Sequence, residues 1–170
     1  MNVHNLDTAS ADRARELLAA CCGAVPWVDA MLAARPFGSR ERLFAAADRC
    51  WSALPEAELA QAIARHPRLG EVRARAALTA REQAWSAGEQ SGVGTADDAA
   101  REALAAGNEA YERRFGHTFI LCATGLGPRD VLAALRARLA NDESTERAIT
   151  ARELHRITRL RLEKLLQEDA

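Results

Sequence analysis

The sequence predicts an all-α protein, a single-domain bundle of about eight helices spanning residues 1–170. Three observations predict it. Alanine and leucine dominate and β-branched residues are few, a composition that favours helix over sheet. Helix caps and helix stops recur from one end of the chain to the other. Hydrophobic residues make up 48% of 170 residues, enough for one core, and no linker is long enough to divide domains.

Each element has a local reason. Ser10 can cap a first helix running to about Cys22, with Gly23 ending it. A short helix around Trp27 to Ala34 is cut by Pro36. Ser39 opens a third, whose Leu43, Phe44, Ala47 and Trp51 recur at helical spacing. Pro55 suits the first residue of a fourth helix reaching Arg65. Thr79-Ala80-Arg81-Glu82 reads as a capping box for a helix carrying Trp85. Ser91-Gly92-Val93-Gly94 breaks the chain, and Thr95-Ala96-Asp97-Asp98 starts a helix that stops at Gly116. Phe119-Ile120-Leu121-Cys122-Ala123 is a compact apolar run, either a buried strand-like segment or a short core helix. Pro128 starts a further helix to about Ala140, and a last one spans roughly Ser144 to Gln167.

Composition excludes several classes. The net charge is −1, from 23 basic and 24 acidic residues. No bulk field draws the chain to nucleic acid or to an anionic membrane. No apolar run approaches the ~20 residues of a membrane span. Met1 to Thr8 lacks a basic segment followed by an apolar one, and the final Gln167-Glu168-Asp169-Ala170 is no peroxisomal address. Cys21, Cys22, Cys50 and Cys122 form no C-x-x-C pair, and no histidine stands at zinc-ligand spacing from them. They read as reduced thiols, mostly buried, with no metal, in a cytoplasmic protein.

The chemistry-bearing stretch is His66-Pro67-Arg68-Leu69-Gly70. Proline biases its predecessor away from helix, so His66 closes the helix before it and presents its ring from a loop. Histidine titrates nearest neutrality, which suits proton transfer. Ser86, Glu89 and Gln90 stand at i, i+3 and i+4 and share one helix face. Gly92 and Gly94 follow, where a backbone can approach a ligand closely. On the last helix, Arg161 falls inside the apolar arc of Ile149, Leu154, Ile157, Leu160 and Leu165, and an inward arginine wants an anionic partner. Each feature also has a plain structural reading: a satisfied core histidine, a solvated helix face, an arginine stem lying over the core.

Other candidates compete poorly. His4 lies in a fraying end, His117 can bond the last turn's carbonyls, and His155 falls on a solvated face among arginines. There is no P-loop, H-E-x-x-H, nucleophile elbow or dinucleotide fingerprint. Trp51 and Trp85 read as core.

In this order the residues resemble the 2-oxo-4-hydroxy-4-carboxy-5-ureidoimidazoline (OHCU) decarboxylase family of urate breakdown. The matching pieces are Pro36-Phe37 with Ser39, His66 through Gly70, and Ser86-x-x-Glu89-Gln90-Ser91-Gly92. Further pieces are Asn108-x-x-Tyr111-x-x-x-Phe115-Gly116, Phe119 through Ala123, and Arg138-Leu139-x-Asn141-Asp142 through Leu160-Arg161-Leu162. The resemblance implies a cofactor-free, homodimeric, all-α carboxy-lyase that converts this small oxidised-purine fragment to (S)-allantoin. It implies His66 as the catalytic acid; Glu89, read from the residues as a second catalytic group, is a carboxylate that can tune a nearby imidazole or share its proton work. The resemblance implies substrate contacts at Pro67, Ser86, Ala87, Gly88 and Gln90, at Phe119, Ile120, Leu121, Cys122 and Ala123, and at Arg161. The alternative is a non-catalytic helical ligand-binding or interaction module of the same fold.

Overall fold

The structure, a computed structural model, describes residues 2–70 and 79–167. The described residues hold nine α-helices and no strand, so the all-α expectation holds. They are α1 Val3–Thr8, α2 Ala11–Cys21, α3 Val25–Ala33, α4 Arg40–Ser52, α5 Glu56–Ala64, α6 Ala80–Glu89, α7 Asp98–Phe115, α8 Pro128–Arg138 and α9 Glu143–Gln167. A 3₁₀ turn, Val93–Thr95, sits between α6 and α7. The chain forms two compact units, Met1–Ala62 with His155–Ala170, and Ile63–Leu154.

In the first unit the caps fall where the sequence places them. The Ser10 hydroxyl accepts from the Arg13 amide and the Ser39 hydroxyl from the Arg42 amide. The N-terminal residues differ from expectation. Asn2 caps α1, so His4 stands in a helix whose Leu6 is fully buried. The Asp7 carboxylate then accepts from the Phe37 and Gly38 amides, and Arg35 donates to the Asp7 carbonyl at 2.7 Å. Those bonds hold the α1 end against the loop that precedes α4. Trp27, fully buried, donates from Nε1 to the Ala47 carbonyl at 3.2 Å.

His155 also differs. It stacks on Trp51 with ring centroids 4.9 Å apart, and Nε2 meets Asp48 Oδ1 at 3.0 Å. The Trp51 face covers one side of the ring, and the resulting burial holds the His155 pKa below its ordinary value despite Asp48.

In the second unit one core gathers Leu69, Val93, Leu104, Tyr111, Phe119, Ala123, Val131 and Leu135. Its helices start and stop by local chemistry. Thr79 and Glu82 form the predicted capping box of α6, Asp97 caps α7, and Gly116 ends α7 at φ +74°. Gly107 lets α7 and α8 close on each other, since a Cβ there would lie 2.5 Å from Leu135 Cδ2. His117 turns from the helix end. Its Nδ1 meets the Thr118 carbonyl at 3.0 Å and its ring stands edge-on to Tyr111.

Phe119–Ala123 is neither strand nor helix. Two of its backbone groups are satisfied by side chains instead of a ladder. Arg138 donates to the Ile120 carbonyl and the Glu153 carboxylate accepts from the Cys122 amide at 3.0 Å.

Arg138 is the hub of this unit and only 6% exposed. Its guanidinium donates to Glu146, to the Thr150 hydroxyl at 2.9 Å and to Ile120, and lies 4.7 Å from the Phe119 ring centroid. Tyr111 donates its hydroxyl to Glu146, and Asn141 donates to the other Glu146 oxygen at 2.8 Å. Burial first, then the Glu146 bond, pushes the Tyr111 pKa well above the usual phenol range. Burial opposes the Glu146 charge, yet bonds from Arg138, Tyr111 and Asn141 outweigh it and hold the carboxyl below its ordinary 4.5.

Removing one partner of a buried pair strands the other. Arg138→Met is therefore expected to cost about 3–5 kcal/mol in urea unfolding, and Arg138→Met with Glu146→Leu to recover part of that loss. Because the folded Glu146 pKa is depressed, its contribution is present above pH 4.5 and disappears as pH falls through the folded value. Acid unfolding should consequently be less steep below pH 4.5 in the double variant than in the parent.

Candidate active site

Loop 65–70 leaves the end of α5 in the second unit. The His66 amide donates to the Ile63 carbonyl at 3.0 Å, and the chain then turns out at Pro67. The His66 side chain is buried. Gly70 takes φ +85°, and a Cβ there would lie 2.7 Å from Leu104 Cδ2. The positive φ favours glycine here, while the Leu104 methyl is the end of a flexible side chain that can yield.

Successive loop residues meet successive turns of α7. Gly70 packs on Leu104, the Leu69 carbonyl accepts from Asn108 Nδ2 at 3.0 Å, and Arg68 forms a two-pronged pair with Glu112. Residues 104, 108 and 112 stand at i, i+4 and i+8, one face of the helix. A second hold comes from the C-terminal end of α6. Gln90 Oε1 accepts from the Gly70 amide at 3.0 Å, while Nε2 points to Ser86 Oγ at 3.4 Å.

The α6 face matches its spacing. Ser86 and Glu89 are both 8% exposed, and Gln90 is half-buried beside them. Ala87 and Gly88 are exposed on the other side of the helix. Thus Gln90, read from sequence as a substrate contact, orients the histidine loop in this structure. In the apolar run Phe119, Ile120 and Ala123 are buried, and Leu121 and Cys122 are half-buried. The Cys122 amide, one of the donors that segment offers, is engaged by Glu153. Arg161 is buried on α9 in the first unit, as its place on the apolar arc requires.

The sequence shows Asn108 and Arg138 only as pieces of the family motif, and it shows neither their contacts nor the role of Glu153. The signal for Asn108 was available: it stands in line with Leu104 and Glu112 on α7. Among the described residues no group of three or more His, Cys, Asp or Glu could hold a metal.

Gly92 joins the two sides of this region. A Cβ built there would lie 2.2 Å from the Leu126 carbonyl oxygen, so the turn after α6 rests on the turn after Ala123. Backbone cannot swing aside as a flexible side chain can. Gly92→Ala is expected to cost about 1–3 kcal/mol in urea unfolding. Gly94→Ala, whose Cβ meets nothing within 4 Å, should leave the midpoint close to the parent.

The family model for OHCU decarboxylase matches residues 7–163. The uric acid degradation bifunctional protein TTL of Arabidopsis thaliana is 30% identical over 151 residues. That match takes in 88% of this chain but 46% of the plant protein, so the chain spans about half the length of that relative. The 2-oxo-4-hydroxy-4-carboxy-5-ureidoimidazoline decarboxylase of Amia calva is 34% identical over 143 residues, covering 81% of this chain and 78% of the fish protein. The crystal structure of OHCU decarboxylase in the presence of (S)-allantoin superposes with a TM-score of 0.75 at 28% identity, covering 94% of this chain and 99% of that one. The chain belongs to the OHCU decarboxylase family.

Proposed function

We propose that the chain decarboxylates 2-oxo-4-hydroxy-4-carboxy-5-ureidoimidazoline and releases (S)-allantoin, with His66 as the acid. The observation that carries this is the fixed loop: three consecutive residues after Pro67 are held on α7 and α6, next to a helix face with buried Ser86 and Glu89. A ring carried by so constrained a loop has little freedom to lose when it engages a ligand.

The chemistry suits a protein of these means. The substrate carries its carboxylate on a ring carbon that also bears a hydroxyl, beside a C=N bond. When the bond to the carboxylate breaks, carbon dioxide leaves and the electron pair moves toward that C=N. The nitrogen of that C=N takes a proton, and an enamine-like ring results. The carbon bearing the ureido group then takes a proton on one face, and the hydroxyl loses its own proton to become the ring carbonyl. The substrate is its own electron sink, so the protein's tasks are to orient it and to move protons. His66 supplies the proton to carbon. Glu89 accepts from ring or ureido N–H groups or holds the protonated imidazole, and Ser86 can donate to a carbonyl.

Two further readings accompany the proposal. No helix among the described residues is long and apolar enough to cross a membrane, and we read the protein as cytoplasmic. We read it as a homodimer on the family resemblance, which light scattering on the purified protein checks.

The direct test supplies substrate freshly made from urate and follows absorbance and circular dichroism. The proposal expects rapid loss of substrate and one-handed allantoin. Formation no faster and no more one-handed than in buffer contradicts it, and would favour a binding module of the same fold. A positioned acid typically contributes 10²–10⁴-fold. His66→Ala is thus expected to lose at least about a hundredfold in kcat, with Glu89→Gln losing less.

A further inference from the structure

Asn108 is 2% exposed in the middle of α7. Asparagine is a poor helix former, because its side chain competes for nearby backbone bonds. Here it does not bond its own helix. Its Nδ2 reaches 39 residues back along the sequence to the Leu69 carbonyl, at 3.0 Å. Its Oδ1 is buried and makes no hydrogen bond among the described residues. An apolar side chain of the same size would avoid that uncompensated acceptor, so the donor half must contribute something core packing alone does not require.

The position of the bond indicates what. Leu69 lies three residues after His66 and one after the Arg68 fork. The flanking loop positions are already held by Glu112 and by Gln90. Without Asn108 the Leu69 carbonyl would be the loop's buried polar group with its α7 donor removed. The Leu69 peptide could then turn between those two holds, and the backbone that leads back through Arg68 and Pro67 to His66 would lose its central tie to α7.

We propose that Asn108 is a positioning residue for the reaction: by donating to the Leu69 carbonyl it fixes the backbone that aims the His66 ring at the substrate. This rests on the role given to His66 above. Asn108→Leu removes the uncompensated Oδ1 but strands the Leu69 carbonyl, so one unsatisfied buried acceptor replaces another and stability loses only the bond itself. Activity and stability therefore separate.

The test compares parent, N108L and H66A, with kcat and KM for substrate made from urate. Far-UV circular dichroism at the assay temperature and a thermal melt count the folded enzyme. The expected result is an N108L kcat per folded molecule at least tenfold below the parent, with KM within threefold and a melting temperature within a few degrees. A kcat within twofold of the parent overturns the proposal. So does a loss of rate that only tracks a loss of folded protein, or a rise in KM matching the fall in kcat. If N108L fails to fold, N108S carries the same comparison, since its hydroxyl is too short to reach Leu69. An inactive H66A beside a fully active N108L overturns the positioning alone, whereas a fully active H66A overturns the His66 assignment and the positioning with it.

Discussion

A guanidinium buried to 6% exposure must find anionic and carbonyl partners within the protein, since so little of it faces solvent. Arg138 finds Glu146 and Thr150 on α9, the Ile120 carbonyl in the apolar run, and the rings of Tyr111 and Phe119. These partners come from α7, from the irregular segment and from α9. The apolar run has no ladder of its own, so its path depends on this charge. The second unit is thus organised around an ion pair as much as around its apolar core. A buried pair can be neutral in stability and still define geometry, because only one arrangement satisfies every group in it.

The candidate site is built by a related device. The described residues after α5, 65–70, are largely polar and broken by proline, which alone would leave them loosely placed. They are made rigid by meeting α7 residue for turn, with Leu104, Asn108 and Glu112 each taking one loop position. Gln90 closes the other side. The consequence is an imidazole presented on a backbone that the fold controls at several points. A general acid gains from such control, because proton transfer to carbon depends steeply on distance and direction.

Much of this was legible in sequence where the governing contacts are local. Ser10, Ser39, Thr79 and Asp97 cap helices because their side chains reach amides three residues on. That Ser86 and Glu89 share one face follows from their spacing on α6, while the burial of that face does not. The rest was not legible because its partners are remote. Phe119–Ala123 is ordered by groups 18 and 31 residues further along the chain, so no window of sequence distinguishes it from strand or helix. On α9 the inward face carries Glu146, Thr150, Glu153, Thr158 and Arg161. A hydrophobic pattern read there finds Arg161 inside the apolar arc but not the ion pair that needs Glu146. His155 was placed in solvent because its cover, Trp51, lies on a different helix. Asn108 was visible only as part of a family motif, and its bond to Leu69 gives that motif a physical reason.

A reaction at the loop holding His66 can be seen in a crystal structure of this protein with (S)-allantoin. A ring nitrogen of His66 is expected within about 2.6–3.2 Å of the bound molecule, or one water from it, with Ser86 and Glu89 beside the ureido group. Allantoin bound elsewhere, with the His66 ring covered by protein on every side, would contradict a reaction at that loop.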